Sequence, residues 1–159
     1  MSKTLDYNRD IEIDYIIPNL RSNNKKAVLS TLADRLSEAF KLPAPLLLDR
    51  LIMNESLNSS GIGEGIAIPA LILKNIRHSY TLLVKLETPI LFDAIDEQPV
   101  DIICLVVSPE AEGPYHLRRL SRITRLLKNQ DLISKIRATS DSDTINALLH
   151  NPDGWMMAA

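Results

Sequence analysis

The chain has 159 residues, 45% of them hydrophobic and 24% charged, with 18 basic against 20 acidic side chains and a net charge of −2. That size predicts one domain able to bury a core without metal or disulfide staples, and the near-neutral balance excludes the strongly basic bulk of a general nucleic-acid binder. Cys104 is alone and cannot build a disulfide framework, and the three histidines form no zinc-spaced pair with it, so neither a metal nor a cofactor is expected.

Residues 1–9 are polar and lack the apolar core of a signal peptide. No apolar run reaches the roughly 18–20 residues that cross a bilayer, so a cytoplasmic protein is expected, with no membrane segment. The domain proper is expected over residues 10–150. Its first strand starts at Ile11, passes Ile13 and Tyr15-Ile16-Ile17, and stops at Pro18. A helix over about 23–40 follows, because Val28, Leu29, Leu32, Leu36, Ala39 and Phe40 recur at helical spacing between charged residues. Pro43 and Pro45 close that helix and open a second over about 45–54, since proline fits a first turn but not a helix interior.

Gly61-Ile-Gly-Glu-Gly65 reads as a flexible loop leading into a strand, Ile66-Ala-Ile-Pro69. Two β-branched, apolar runs, 79–87 and 100–108, read as strands, the second covered on both faces. Helices are expected over about 114–128, with Leu117, Leu120, Ile123 and Leu127 on one face, over 131–138, and over 140–150 with Ser140 or Asp141 as its cap. Residues 151–159 hold turn formers and then an apolar end, and read as a tail. Helices before and after a block of strands make a single α/β domain, its sheet flanked by helices on both faces.

Few residues suggest chemistry. Gly61, Gly63 and Gly65 can turn backbone amides toward an anion. No strand precedes them and no helix follows, so a dinucleotide fold is not expected, and no Gly-Lys-Ser/Thr completes a phosphate-binding loop. Asp93, Asp96 and Glu97 crowd a Pro-bounded turn and read as solvated acids. Arg118, Arg119, Arg122, Arg125 and Lys128 form a basic stripe, read as a solvated helix face or a contact for an acidic protein. With only seven aromatic residues, a base-stacking surface for nucleic acid is not expected. His78, His116 and His150 sit beside no nucleophile motif.

Two longer stretches carry more. Ser59-Ser-Gly-Ile-Gly-Glu-Gly-Ile-Ala-Ile-Pro69 resembles the signature loop of the fructose-type (type 2) enzyme IIA domains of the bacterial sugar phosphotransferase system. Leu86-Glu-Thr-Pro-Ile-Leu-Phe-Asp-Ala-Ile-Asp-Glu-Gln-Pro-Val-Asp101 resembles the nitrogen-regulatory branch of that family. The likeness spans about residues 10–150. It implies a mixed sheet flanked by helices and a relay in which a phosphocarrier protein passes phosphate to a histidine directly after the signature Ile-Pro. Here that position is Ala70, which has no nucleophilic nitrogen.

By the same resemblance, Leu71 and Ile72 replace a small residue and a base, and Asn54 stands where relatives have an arginine that helps neutralise phosphate. His116 matches their second, non-phosphorylated histidine. Changes at several neighbouring positions fit a natural loss of the acceptor better than a single engineered substitution. The resemblance therefore implies a regulatory protein that works through contacts with other proteins and does not accept phosphate. Implied partners are a histidine phosphocarrier and regulatory targets such as sensor kinases or transporters, with a homodimer as one assembly. Two other readings stay open. One is an active carrier whose acceptor was mutated to Ala70 or that uses His116 or His78. The other is a small-anion sensor built on the glycine loop and His116.

Overall fold

The computed structural model describes residues 12–150; the expected start at Ile11, the polar segment 1–9 and the tail 151–159 lie outside them. Strand β1 (Tyr15–Leu20) begins later than expected and runs through Pro18. Proline is tolerated there because β1 is the outermost strand, and its register with its neighbour slips between Ile17 and Leu20. Helix α1 (Lys25–Phe40) opens on Asn24, whose side chain accepts a hydrogen bond from Ala27 N at 2.8 Å. Of its expected apolar stripe, Ala39 is exposed, while Val28, Leu29, Leu32 and Leu36 are buried. Helix α2 (Ala44–Leu57) holds Pro45 in its first turn and continues three residues past its expected end.

The glycine segment is a hairpin rather than a flexible loop. Strands β2 (Gly61–Gly63) and β3 (Ile66–Ala67) pair antiparallel around Glu64-Gly65. Both turn residues have positive φ, 58° and 82°, the signature of a two-residue turn whose twist matches its strands. Strand β4 (Ala70–Leu73) was not anticipated. It lies beside β6 (Val100–Pro109) in the same parallel register as β3, with Ala67 opposite Ile103 and Ala70 opposite Val106. Thus β3 and β4 are two runs of one line of chain, broken at Ile68-Pro69.

Strand β5 (Tyr80–Ile90) pairs antiparallel with β6 on its other side and parallel with β1, giving a mixed six-stranded sheet in the order β1-β5-β6-β3-β2, with β4 also on β6. Alternation along β6 divides the core. Ile103, Leu105 and Val107 face α1 and α2; Ile102, Cys104 and Val106 face the C-terminal helices. Those helices are α3 (Gly113–Leu127), entered through a short turn over 110–112, then α4 (Gln130–Arg137) and α5 (Ser142–Leu149). Asp141, not Ser140, caps α5 by accepting from Thr144 N at 3.0 Å. The sheet is flanked by helices on both faces, as expected. Cys104 is fully buried between strands, and burial pushes its thiol up to about 12, so it behaves as a small apolar filler.

Candidate functional site

Side chains alternate along β4, so Leu71 and Leu73 enter the core under α1 and α2 while Ala70 and Ile72 take the face shared with α3. Their partners on β6, Val106 and Ser108, point the same way. Ser108 is the first polar side chain after the apolar run 102–107, and it is fully buried. Such a hydroxyl needs partners. His116 Nδ1 lies 2.7 Å from Ser108 Oγ, and Arg119 Nη1 donates to the same oxygen at 2.9 Å. Arg119 is held in turn by Glu112.

This chain of contacts explains a departure in α3. Leu117, expected on the inner face, is 71% exposed, while His116 is only 6% exposed and takes the inward position beside Leu120, Ile123, Leu126 and Leu127. The basic stripe is correspondingly divided. Arg118 stays exposed with its guanidinium 5.9 Å above the Tyr115 ring, and Arg119 turns in to Ser108 and Glu112.

Burial first, and the Arg119 charge second, hold the His116 pKa below its ordinary value. A neutral imidazole carries one proton. Arg119 donates to Ser108 Oγ, and the same hydroxyl pairs with His116 Nδ1. No described residue bonds Nε2. Nor is it sealed away, since Ser22 Oγ is the only buried side-chain nitrogen or oxygen without a partner among the described residues.

The depressed pKa sets a pH dependence. The unfolded chain takes up the proton first as pH falls, so the contribution of neutral His116 is full above about 6.5 and is lost below it. Urea midpoints are expected to fall between pH 7 and 5 more steeply for the native chain than for His116→Gln. Parallel curves would disprove the coupling.

On the other side of β4, α2 reaches its free edge. Asn54 Nδ2 donates to Ala70 O at 3.0 Å, and Arg50, one turn earlier, donates to Ile72 O at 3.2 Å. Asn54 and Ala70 thus meet at the start of β4, while His116 bonds Ser108, the partner of Ile72 further along it. Ser108 and Arg50 also lie along β4 and its partner and were not singled out from the sequence, where the lone serine closing an apolar strand was the available signal; Arg119 stood there only as one member of the basic stripe.

The glycine hairpin stands apart. Gly65 O accepts from Asp101 N and Ile102 N at the start of β6, whereas Ser108 is near its end. Six residues separate Ile102 from Ser108, about 20 Å of strand. The turn's own amides have internal partners: Glu64 N donates to Asp96 Oδ2 at 2.8 Å and Gly61 N to Ser59 Oγ at 3.1 Å. The Glu64 amide, followed by the Gln98 amide, lowers the Asp96 pKa. Asp93, Asp96 and Glu97 are all exposed, as expected of a solvated turn.

His78 and His150 lie outside this group. His78 stacks at 5.3 Å on Phe40, and His150 Nδ1 lies 2.8 Å from Asn146 O at the end of α5. Among the described residues, no group of three or more His, Cys, Asp or Glu side chains is placed to hold a metal ion. No helix there is long and apolar enough to cross a membrane.

Comparison with known proteins agrees with the architecture. Residues 11–151 match the family described as "Phosphoenolpyruvate-dependent sugar phosphotransferase system, EIIA 2". The chain is 36% identical to a nitrogen regulatory protein of Bradyrhizobium diazoefficiens over 86% of its length and 90% of the relative's. Among solved structures it resembles the nitrogen regulatory protein IIA-Ntr of Neisseria meningitidis, with a TM-score of 0.82 and 22% identity over 90% of this chain and 98% of that one. It also resembles the Escherichia coli mannitol IIA solved in complex with phosphorylated enzyme IIB. There the TM-score is 0.67 and the identity 14%, over 84% of this chain and 92% of the other.

Proposed function

This chain belongs to the EIIA 2 family of the phosphoenolpyruvate-dependent sugar phosphotransferase system, and from that premise we propose that it is a nitrogen-regulatory IIA-like protein that acts by binding other proteins and accepts no phosphate at residue 70. One observation carries this reading: directly after Ile68-Pro69, where the family resemblance puts the phosphoacceptor, the side chain is the methyl group of Ala70. A methyl carbon has no lone pair to attack phosphorus, so no phosphoramidate bond forms there. The neighbouring groups agree. Asn54 spends its amide on the Ala70 carbonyl and Arg50 its guanidinium on the Ile72 carbonyl. His116 is buried and bonded to Ser108, away from the position directly after Ile68-Pro69 where the resemblance puts the acceptor.

A phosphorylated relative changes its surface by about two negative charges. With no acceptor, this chain keeps one surface whatever the state of the phosphate relay, in the cytoplasm where that relay works. Partners of the sensor-kinase or transporter kind would then meet a single, permanently unphosphorylated form. Incubation with phosphoenolpyruvate, the system's general kinase and its phosphocarrier is expected to leave the intact mass unchanged. A stoichiometric phosphate adduct would refute the reading, and tandem mass spectrometry would then decide between His116 and His78.

A further inference from the structure

We propose that the turn over residues 91–97 is a docking surface that holds Leu91 and Ile95 out to a basic, apolar helix of a partner protein. The inference rests on the reading above, that the chain acts by binding other proteins, and adds where one such protein docks and what its contact segment carries. Burial alternates along the turn. Phe92 and Ala94 are inside, while Leu91 is 74% exposed and Ile95 84%. Single exposed aliphatic side chains are common on protein surfaces, but these two share one short turn whose backbone is fixed in the outward-facing arrangement.

The fixing is extensive. Phe92 O accepts from Ser59 Oγ at 2.9 Å and from Lys25 Nζ at 3.2 Å. Glu97 N donates to Ala94 O at 2.9 Å, and Ile95 N to Gly61 O at 3.4 Å. Asp96 takes the Glu64 and Gln98 amides, one on each carboxylate oxygen. The hairpin backbone lies so close that a Cβ on Gly61 would stand 2.7 Å from Ala94 Cα. Asp93 and Glu97 have φ of 55° and 61°, left-handed backbone that is unfavourable for a residue with a side chain. The turn therefore carries strain as well as wet aliphatic surface, and its hydrogen bonds hold both in place. A surface so constrained loses little freedom when a partner covers it.

Charge selects the partner. Asp93, Asp96 and Glu97 are exposed on the same turn, and Glu64, whose amide bonds Asp96, is exposed beside them. Residues 86–117 hold seven acidic side chains and no lysine or arginine, against a net charge of +5 for the rest of the chain. Lys25 lies 3.4 Å from Asp93, but it is largely buried and shared with Glu55. Such a field repels nucleic acid and anionic lipid and attracts cations. No three of the described acids are placed to hold a metal ion, and a free amine would leave Leu91 and Ile95 in water. A helix with aliphatic side chains on one face and lysine or arginine beside them covers the pair and answers the acids together.

The test titrates the isotope-labelled full chain with a synthetic helix bearing leucine on one face and lysine on the other, read by backbone amide shifts. Two control helices carry serine for leucine or glutamate for lysine. Shifts are expected in residues 61–65 and 91–98, with affinity at least about ten-fold above that of the serine helix and no binding of the glutamate helix. Leu91→Ser/Ile95→Ser should weaken the leucine–lysine helix at least about ten-fold. Asp93→Asn/Glu97→Gln should weaken it about three-fold and flatten its dependence on salt. Thermal melting of each variant separates a lost contact from a lost fold. Shifts confined to other surfaces, or equal affinity of the native chain and Leu91→Ser/Ile95→Ser, would overturn this inference and leave the proposed function standing. Equal binding of the leucine and serine helices would assign the turn to a plain cation and sink the apolar contact. A phosphate adduct in the relay assay would overturn the reading of residue 70 and leave this surface in place.

Discussion

Ala70→His alone is expected to gain phosphate at least about 100-fold more slowly than the double variant Ala70→His/Asn54→Arg. The estimate follows from the cost of losing one well-placed donor to a developing charge, about 10²–10³ in rate. Residue 54 is held against the backbone of residue 70, since Asn54 Nδ2 reaches Ala70 O at 3.0 Å. A side chain at 54 is therefore beside whatever residue 70 carries. Asparagine offers one neutral amide there and uses it on the carbonyl. Arginine would offer a charged fork that matches phosphate oxygens. Arg50 is no substitute while it remains bonded to Ile72 O. Rates of phosphohistidine formation from charged carrier, read by intact mass, check the expectation; equal rates for the two variants would contradict it.

Glu55→Ala is expected to lower stability by about 3 kcal/mol, the low end for removing one member of a buried ion pair. In a domain of this size that corresponds to a fall in Tm of roughly 6–12 °C. Glu55 is 6% exposed and Lys25 17%, and Lys25 Nζ lies 3.0 Å from Glu55. The same ammonium donates to Phe92 O at 3.2 Å and sits over the Phe92 ring, while Ser60 donates to Glu55 through both its backbone N–H and its hydroxyl. This knot ties α1, α2, the start of the glycine hairpin and the 92–97 turn together. Removing the carboxylate leaves the largely buried ammonium to Phe92 O and the exposed Asp93, 3.4 Å away, and strands two Ser60 donors. Lys25→Met/Glu55→Leu, which removes both charges, should lose less than the sum of the single changes. A loss under about 1 kcal/mol for Glu55→Ala in urea denaturation would show that water replaces the pair.

What the sequence revealed depended on how local each signal was. Val28, Leu29, Leu32 and Leu36 announce α1 by spacing alone, and the apolar run 102–107 announces a strand covered on both faces; both are so placed. The strand expected over Ile66–Pro69 is there as β3, shortened to two residues, whereas β2 and β4 are three and four residues long and exist because β6 pairs with them or with their neighbour. No window centred on them carries that information. Pro18 suggested an end where it only interrupts, because an edge strand can lack a donor on its open side. Spacing gave the inward side of α3 at Leu120, Ile123 and Leu127 but not in its first turn, where His116, bonded to Ser108, is buried and Leu117 is exposed; hydrophobicity does not encode that pair. The positions of interest, Ala70, Asn54 and His116, stood out only through the resemblance. That Ser108 and Arg119 hold His116, and that Arg50 caps Ile72 O, became visible only in three dimensions.

The β4 contacts made by α2 also bear on how copies of this chain could associate. An open strand edge invites further strands. Here each of the three edges has an obstacle: Pro18 and a slipped register on β1, the Ile95 N–H bonded at 3.4 Å to Gly61 O on β2, and the Arg50 and Asn54 side chains seated on the carbonyls of β4. Each of these contacts disfavours the addition of a further strand at the described margins, and at β4 it is two side chains of α2, rather than another strand, that occupy the outward carbonyls.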